Sequence, residues 1–265
     1  MELKFTDKLK VSLHNHSLYS RDSKTEPEEF IKEAVRQNLE IIGISEHCPL
    51  PFWFEPCGML KEKVNEYFEV LNKLKKKYEK QIRVLIGMEV DYLHFNSDFT
   101  LSVLKFPLDY TIGSVHSIKD KNRIWCVDLS EEEFEGILKT VFKGNIKNLC
   151  QYYFQLIIEA VKIKKFDILG HFDLIKKFNK NEKYFSEKEV WYQKMIGEVL
   201  KEIGKSKIIV EVNTAGLDRP VGEPYPSEWI IKKLKKMQVP LLLSADAHEA
   251  SLITRHFSEV GKIIC

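Results

Sequence analysis

Residues 10–23 read KVSLHNHSLYSRDS: a short apolar run ends in His14-Asn15-His16, and Asp22 follows. Imidazole nitrogens and carboxylate oxygens are the donors that hold Zn²⁺, Fe²⁺ or Mn²⁺. A lone His-x-His has a plainer reading, with one ring satisfied in the core and the other on the surface. The remaining histidines decide between the two. Glu46-His47 follows the run IIGIS (41–45), and Glu89 follows RVLIGM (83–88), with Asp91 close by. His116 follows DYTIGSV (109–115), His171 follows FDILG (166–170), and Asn213 follows KIIVEV (207–212). Asp246-Ala247-His248 follows PLLLSA (240–245). Six of the eight histidines therefore stand where an apolar run stops; His94 and His256 do not. Scattered core histidines have no reason to choose that edge.

The elements that must position these groups are the runs themselves. There are seven, counting KVSL (10–13), and each is nearly all apolar rather than alternating, as in strands of a parallel sheet buried on both faces. Helical patterns lie between them. TEPEEFIKEAVRQN carries a capping box from Thr25 to Glu28 with Pro27 in the first turn, and SEKEVWYQKMIGEVLKEIG carries another from Ser186 to Glu189 and stops at Gly204. LKEKVNEYFEVLNKLKKKY, EFEGILKTVF, NLCQYYFQLIIEAVKI and PSEWIIKKLKKM, the last starting at Ser227, supply the rest. Strand–helix alternation of this kind predicts an α/β fold, a distorted TIM-like (β/α)₇ barrel, with an open doubly wound sheet as the alternative. No G-x-G-x-x-G loop follows any run, which weakens a dinucleotide reading. No repeat or linker interrupts residues 1–265, so one domain is expected.

In a parallel barrel the C-terminal strand ends converge on one mouth, where catalytic residues gather. The strand ends offer more ligands than one ion takes; they fit two or three divalent ions with a carboxylate as bridge. Three such ions, less the charges of Asp22, Glu89, Asp246 and a bound hydroxide, leave about two positive charges, which match a phosphate monoester dianion.

Composition excludes other classes. The net charge of +2 gives no field to attract nucleic acid. The lysine runs at 71–80 and 231–237 are punctuated by apolar residues at helical spacing and read as solvated helix faces. The five cysteines are odd in number and scattered, as in reduced cytosolic thiols. MELKFTDKLK lacks the apolar centre of a signal peptide, and no window approaches the roughly 18 apolar residues of a membrane span. A cytoplasmic setting is expected.

HNH, the EH pair at 46–47, GMEVD, SVHS, LGHFD and DAH together resemble the motifs of the PHP (polymerase and histidinol phosphatase) superfamily, over about residues 10–260. The resemblance implies that His14, His16, Glu89 and Asp246 hold one ion. It also implies that Glu89 bridges to a second ion held by His116 and His171, and that Asp22, His47 and His248 hold a third. Many members carry Asp where this chain has Glu46, which is left outside the ligand set. SEHCPLP, GSVHSI, GHFDLIKKF and NTAGLDRPVGEPYPS are similar to the histidinol-phosphatase branch. That branch implies hydrolysis of L-histidinol phosphate, a small phosphorylated amino alcohol, to L-histidinol and phosphate. The ligand set, and the lack of an obvious nucleophile loop, point to in-line attack by a metal-bridging hydroxide with no phosphoenzyme.

Arg219, in the loop after the sixth run, is a candidate to clamp the phosphate in a bidentate fork, or else a surface arginine at a turn. Ser117 is a candidate phosphate donor. Lys176 and Lys177 are candidates for the same anion, or else solvated. Asp246 and His248 are candidates to protonate the leaving alkoxide. The loop CPLPFWFEPCGM (48–59) reads as a pocket wall or an apolar plug, with Cys48 and Cys57 as packing residues. Glu223 and Tyr225 read as an ammonium contact or turn scaffold. Two rival readings remain, a phosphoesterase of the same superfamily acting on nucleotides or oligonucleotide ends, and a metal-free relic of the fold.

Overall fold

A computed structural model of the chain describes residues 10–51, 57–121 and 123–264. Its strands are β1 (Val11–Ser12), β2 (Ile41–His47), β3 (Arg83–Asp91), β4 (Tyr110–Ser114), β5 (Ser117–Asp120), β6 (Arg123–Cys126), β7 (Ile168–Leu169), β8 (Ile209–Asn213) and β9 (Leu241–Ser244). Its helices are α1 (Pro27–Arg36), α2 (Val64–Tyr78), α3 (Ser97–Val103), α4 (Glu131–Thr140), α5 (Ile146–Lys162), α6 (Val190–Gly204), α7 (Glu228–Lys236) and α8 (Phe257–Ile264).

Seven strands form one sheet in the order β1-β2-β3-β4-β7-β8-β9, every pair parallel. The sheet curls until its edges meet. Asn15 bridges Ala247 in parallel, with Ala247 N donating to His14 O at 3.1 Å and His16 N to Ala247 O at 2.8 Å. The (β/α)₇ barrel expected from the apolar runs is the architecture observed.

Two apolar cores follow from strands buried on both faces. The larger lies between sheet and helices and takes one face of each helix, such as Phe30, Ile31 and Ala34 of α1 and Tyr67, Leu71 and Leu74 of α2. The smaller fills the barrel itself and draws on every strand of the sheet: Val11, Ile41, Leu85, Tyr110, Ile112, Ile168, Leu242 and the partly buried Ile209, with Leu13 just past β1. Tyr110 crosses this interior to donate to Leu13 O at 2.5 Å. Its ring needs glycine opposite: a Cβ on Gly43 would stand 2.2 Å from the Tyr110 hydroxyl oxygen, and one on Gly87 2.3 Å from the ring.

Several local expectations are corrected. The helix start at Thr25 fails because α1 begins at Pro27 without a side-chain cap, and the Thr25 hydroxyl donates to His248 O at 3.2 Å instead. Only half of the Ser186 box forms. Ser186 N reaches Glu189 at 3.4 Å, but the Ser186 hydroxyl donates to Glu182 and α6 starts at Val190. The antiparallel β5–β6 hairpin was not foreseen. The lysines of α7 lie on its exposed face, as expected. Among the described residues no helix is long and apolar enough to cross a membrane.

Candidate metal centre

The C-terminal mouth of the barrel gathers all nine residues singled out as ligands. Glu89 stands at the middle because β3 carries it inward beside the end of β2, in register with His47. Its Oε2 lies 2.8 Å from His47 Nδ1, 3.4 Å from His14 Nε2 and 3.7 Å from His16 Nε2. Its Oε1 lies 2.9 Å from His171 Nε2 and 3.4 Å from His116 Nε2. Asp246 Oδ1 approaches His16 Nε2 at 3.2 Å and His14 Nε2 at 3.7 Å. Asp22 Oδ2 approaches His248 Nε2 at 3.1 Å and His47 Nε2 at 3.4 Å.

The His14–His16 pair reaches this site by a break in the strand rather than by its continuation. Val11 and Leu13 both face the inner core, so simple alternation would turn His14 away. The ladder to β2 stops at Ser12, and Asn15 takes up Ala247 instead. Asn15 points away from the site, its side-chain amide donating to Gly43 O at 2.8 Å and Ser12 O at 3.3 Å. Asp246 sits in left-handed backbone (φ 48), with its carbonyl and that of Ala245 held by the Arg255 guanidinium.

The donors fit divalent ions. His14 Nε2 and His16 Nε2 are fully buried and, among the described residues, have no hydrogen-bond partner; the same holds for His171 Nδ1. A buried imidazole nitrogen left so carries a desolvation cost of about 1–3 kcal/mol that an ion would remove. Donor atoms of His14, His16 and Asp246 lie within 4.8 Å of one another, as do those of His14, Glu89 and His171 and those of His16, His47 and His248.

Charge follows the same logic. Burial opposes ionisation of Glu89, but His14, His116 and His47 outweigh it and hold the carboxyl far below its usual range. Asp246 behaves likewise through His14 and His16. Burial, with His47 and His248 beside it, lowers His16 to about 3, leaving the neutral ring that a metal takes. At His14 burial is overcome by Glu211, Asp246 and Glu89, and the ring is held well above its ordinary value, a proton there offsetting the three carboxylates that a bound cation would otherwise offset.

Supporting residues escaped the sequence reading. Glu211 Oε1 accepts from His14 Nδ1 at 2.5 Å and from the Ser244 hydroxyl, while Oε2 accepts from His171 N at 2.7 Å. It orients the His14 ring so that Nε2 faces Glu89 and Asp246. Its signal was available: an acid at an inward position of the apolar run KIIVEV. Glu46 is buried beneath the loop that carries His16 and Asp22, accepting from Ser17 N at 3.0 Å and Ser20 N at 2.9 Å. It shapes the loop from outside the donor cluster. Asp91 accepts from His116 N at 2.9 Å.

The mouth opens into a cavity of about 270 Å³ lined also by Asp128, Leu174, Lys177, Arg219 and Tyr225. Arg219 stands exposed at its rim, and Lys177 Nζ is held by Asp128 O at 2.6 Å and Oδ2 at 3.0 Å. The other candidate substrate contacts turn elsewhere. The Ser117 hydroxyl donates to Asp91 at 2.5 Å, which commits it to positioning His116. Lys176 is neither solvated nor in the cavity: it is fully buried, with Nζ 3.1 Å from Asp173, 3.0 Å from Pro224 O and 3.4 Å from Glu223, and donating to Ser227. Glu223 is thereby tied to Lys176. Residues 52–56 of the 48–59 loop lie outside the described residues; Cys48, Leu50 and Cys57 line the cavity wall.

A family model described as the PHP domain matches residues 12–215. A histidinol-phosphatase of Bacillus subtilis is 27% identical over 236 residues, covering 84% of this chain and 87% of its own. A Listeria monocytogenes chain assigned as a histidinol phosphatase superposes with a TM-score of 0.82 at 24% identity, covering 94% of this chain and 99% of that one. A histidinol phosphate phosphatase of Lactococcus lactis, solved with zinc, L-histidinol and phosphate, superposes with a TM-score of 0.76 at 23% identity, covering 96% and 92%.

Proposed function

The chain belongs to the PHP family, and from that premise we propose that it is a metal-dependent phosphomonoesterase that cleaves L-histidinol phosphate into L-histidinol and phosphate. The observation that carries this reading is the convergence of five imidazoles on Glu89, two of them with Nε2 atoms unpartnered among the described residues, beside a cavity suited to a small ester. The substrate comes from the relatives, one of which was solved with histidinol and phosphate bound.

His14, His16, Glu89 and Asp246 would hold one ion. Glu89, His116 and His171 would hold a second, and Asp22, His47 and His248 a third. Zinc is the first choice, with iron and manganese compatible with the same donors. Bound there, divalent ions act as Lewis acids toward phosphate oxygens and lower the pKa of water to about 7.

The chain's own groups do the rest. Glu211 and Asp91 hold His14, His171 and His116 in place before substrate arrives. The Arg219 guanidinium, at the rim, receives phosphate oxygens in a two-point fork and orients the ester. Asp246, held ionised by His14 and His16, is an acceptor, which leaves His248 as the candidate to deliver a proton to the departing alkoxide. Burial of His14, His16 and Glu89 away from bulk water strengthens the contacts at the floor of the site. A cytoplasmic setting, expected from the cysteine usage, belongs to this reading.

The test is steady-state phosphate release from L-histidinol phosphate beside mononucleotides and short single strands. A clear preference in kcat/KM for histidinol phosphate is expected. A preference for nucleotides would move the chain to another branch of the family, and no turnover of any ester by metal-loaded protein would remove the phosphatase reading.

A further inference from the structure

Three thiols, Cys48, Cys57 and Cys126, line the cavity beside the ligand residues, and they are not equivalent. Burial pushes the Cys48 thiol up to about 12. Cys126 spends its S–H on Asp128 Oδ1 at 3.3 Å. Cys57 alone of the three joins a group of metal donors: its sulfur, a ring nitrogen of His47 and a carboxylate oxygen of Asp22 lie within 4.8 Å of one another.

The backbone places that sulfur. Arg21 N donates to Cys57 O at 3.0 Å, and Met59 N donates to His47 O at 3.1 Å, so the segment is pinned beside both ligand-bearing stretches. A second observation points to an ion in the same place. His248 Nε2 approaches the same Asp22 Oδ2 at 3.1 Å, and the His47 ring also forms a donor group with His248 and His16. Asp22, His47 and His248 supply three protein donors, so a cysteine as the fourth closes the tetrahedron in the manner of a structural zinc and leaves the open positions to the ions around Glu89.

We propose that Cys57 is a further ligand of the ion held by Asp22, His47 and His248, an assignment that rests on the metal-dependent reading above. On binding, a sulfur–metal bond replaces the S–H bond and the proton passes to solvent. A thiolate at this position selects zinc or ferrous iron over manganese, because the softer ions favour sulfur. It also makes this ion, and not the two around Glu89, responsive to thiol reagents.

The experiment uses the full chain reconstituted with cobalt(II). Wild type and Cys126→Ser show a near-ultraviolet sulfur-to-cobalt charge-transfer band, and Cys57→Ser lacks it. In chelator competition Cys57→Ser releases one zinc with an affinity lowered about ten-fold or more. Wild type with a full cobalt complement and normal phosphatase activity but no such band overturns the thiol ligand and leaves the phosphatase reading intact. Failure of wild type to bind cobalt at all overturns both. Should Cys57→Ser not fold, alkylation of wild type mapped by mass spectrometry decides the matter. Cys57 is protected in the metal-loaded protein and exposed by chelation, and equal labelling in the two states rules the ligand out.

Discussion

The two halves of the barrel's interior are built by the same seven strands with opposite chemistry. Toward the N-terminal ends the strands fill the interior with Val11, Ile41, Leu85, Tyr110, Ile112, Ile168 and Leu242. Toward the C-terminal ends the same inward rows turn ionic: Leu85 and Gly87 lead to Glu89, Ile209 to Glu211 and Asn213, Leu242 to Ser244 and Asp246. The stride of two residues is unchanged along these three rows, whereas β1 breaks step between Leu13 and His14. What the contrast teaches is that the apolar half sets the height of the ligands in the other. A slip of one residue in β3, β8 or β9 would expel a hydrophobe and a site residue together.

The comparison can be broken at either half. Glu89→Gln takes a charge from a carboxylate shared by five imidazoles; activity falls by about a thousand-fold or more and metal content drops, read by kcat and elemental analysis. Unchanged metal content would mean that Glu89 is not the hub. Leu85→Ala, on the same row but in the apolar half, costs about 2–5 kcal/mol of stability in urea unfolding. The folded fraction keeps kcat near that of the parent, and a collapse of kcat in fully folded protein would show that the halves are not separable. Glu211→Gln leaves every donor to the ions in place but loosens the His14 ring, lowering metal affinity about 10–100-fold in chelator competition. Arg219→Ala touches neither half and raises KM about ten-fold with metal content unchanged, the smallest of the four effects.

The division also explains what could be read from sequence. Strands buried on both faces advertise themselves as unbroken apolar runs, and a ligand at each run's end is a local feature, so the barrel and its constellation of histidines and acids were visible together. Tertiary partners were not. Lys176 looked solvated beside Lys177, but its partner Ser227 lies across the chain and draws it into the interior. Thr25 carries a capping pattern that the His248 carbonyl overrides. Ser117 had the right neighbour for a phosphate donor until Asp91 claimed its hydroxyl. Glu211 was overlooked because it lies inside a run rather than at its end, where an acid signals a structural partner for a ligand rather than a ligand.

The bridge between Asn15 and Ala247 has a consequence for biogenesis. It joins stretches far apart in the chain, and it sets His14 and His16 beside Asp246. A nascent chain thus carries His14 and His16 without their carboxylate partner until Asp246 is made, and cations captured before then would be held by an incomplete set of donors. Under the metal-dependent reading, loading of the centre follows closure of the ring.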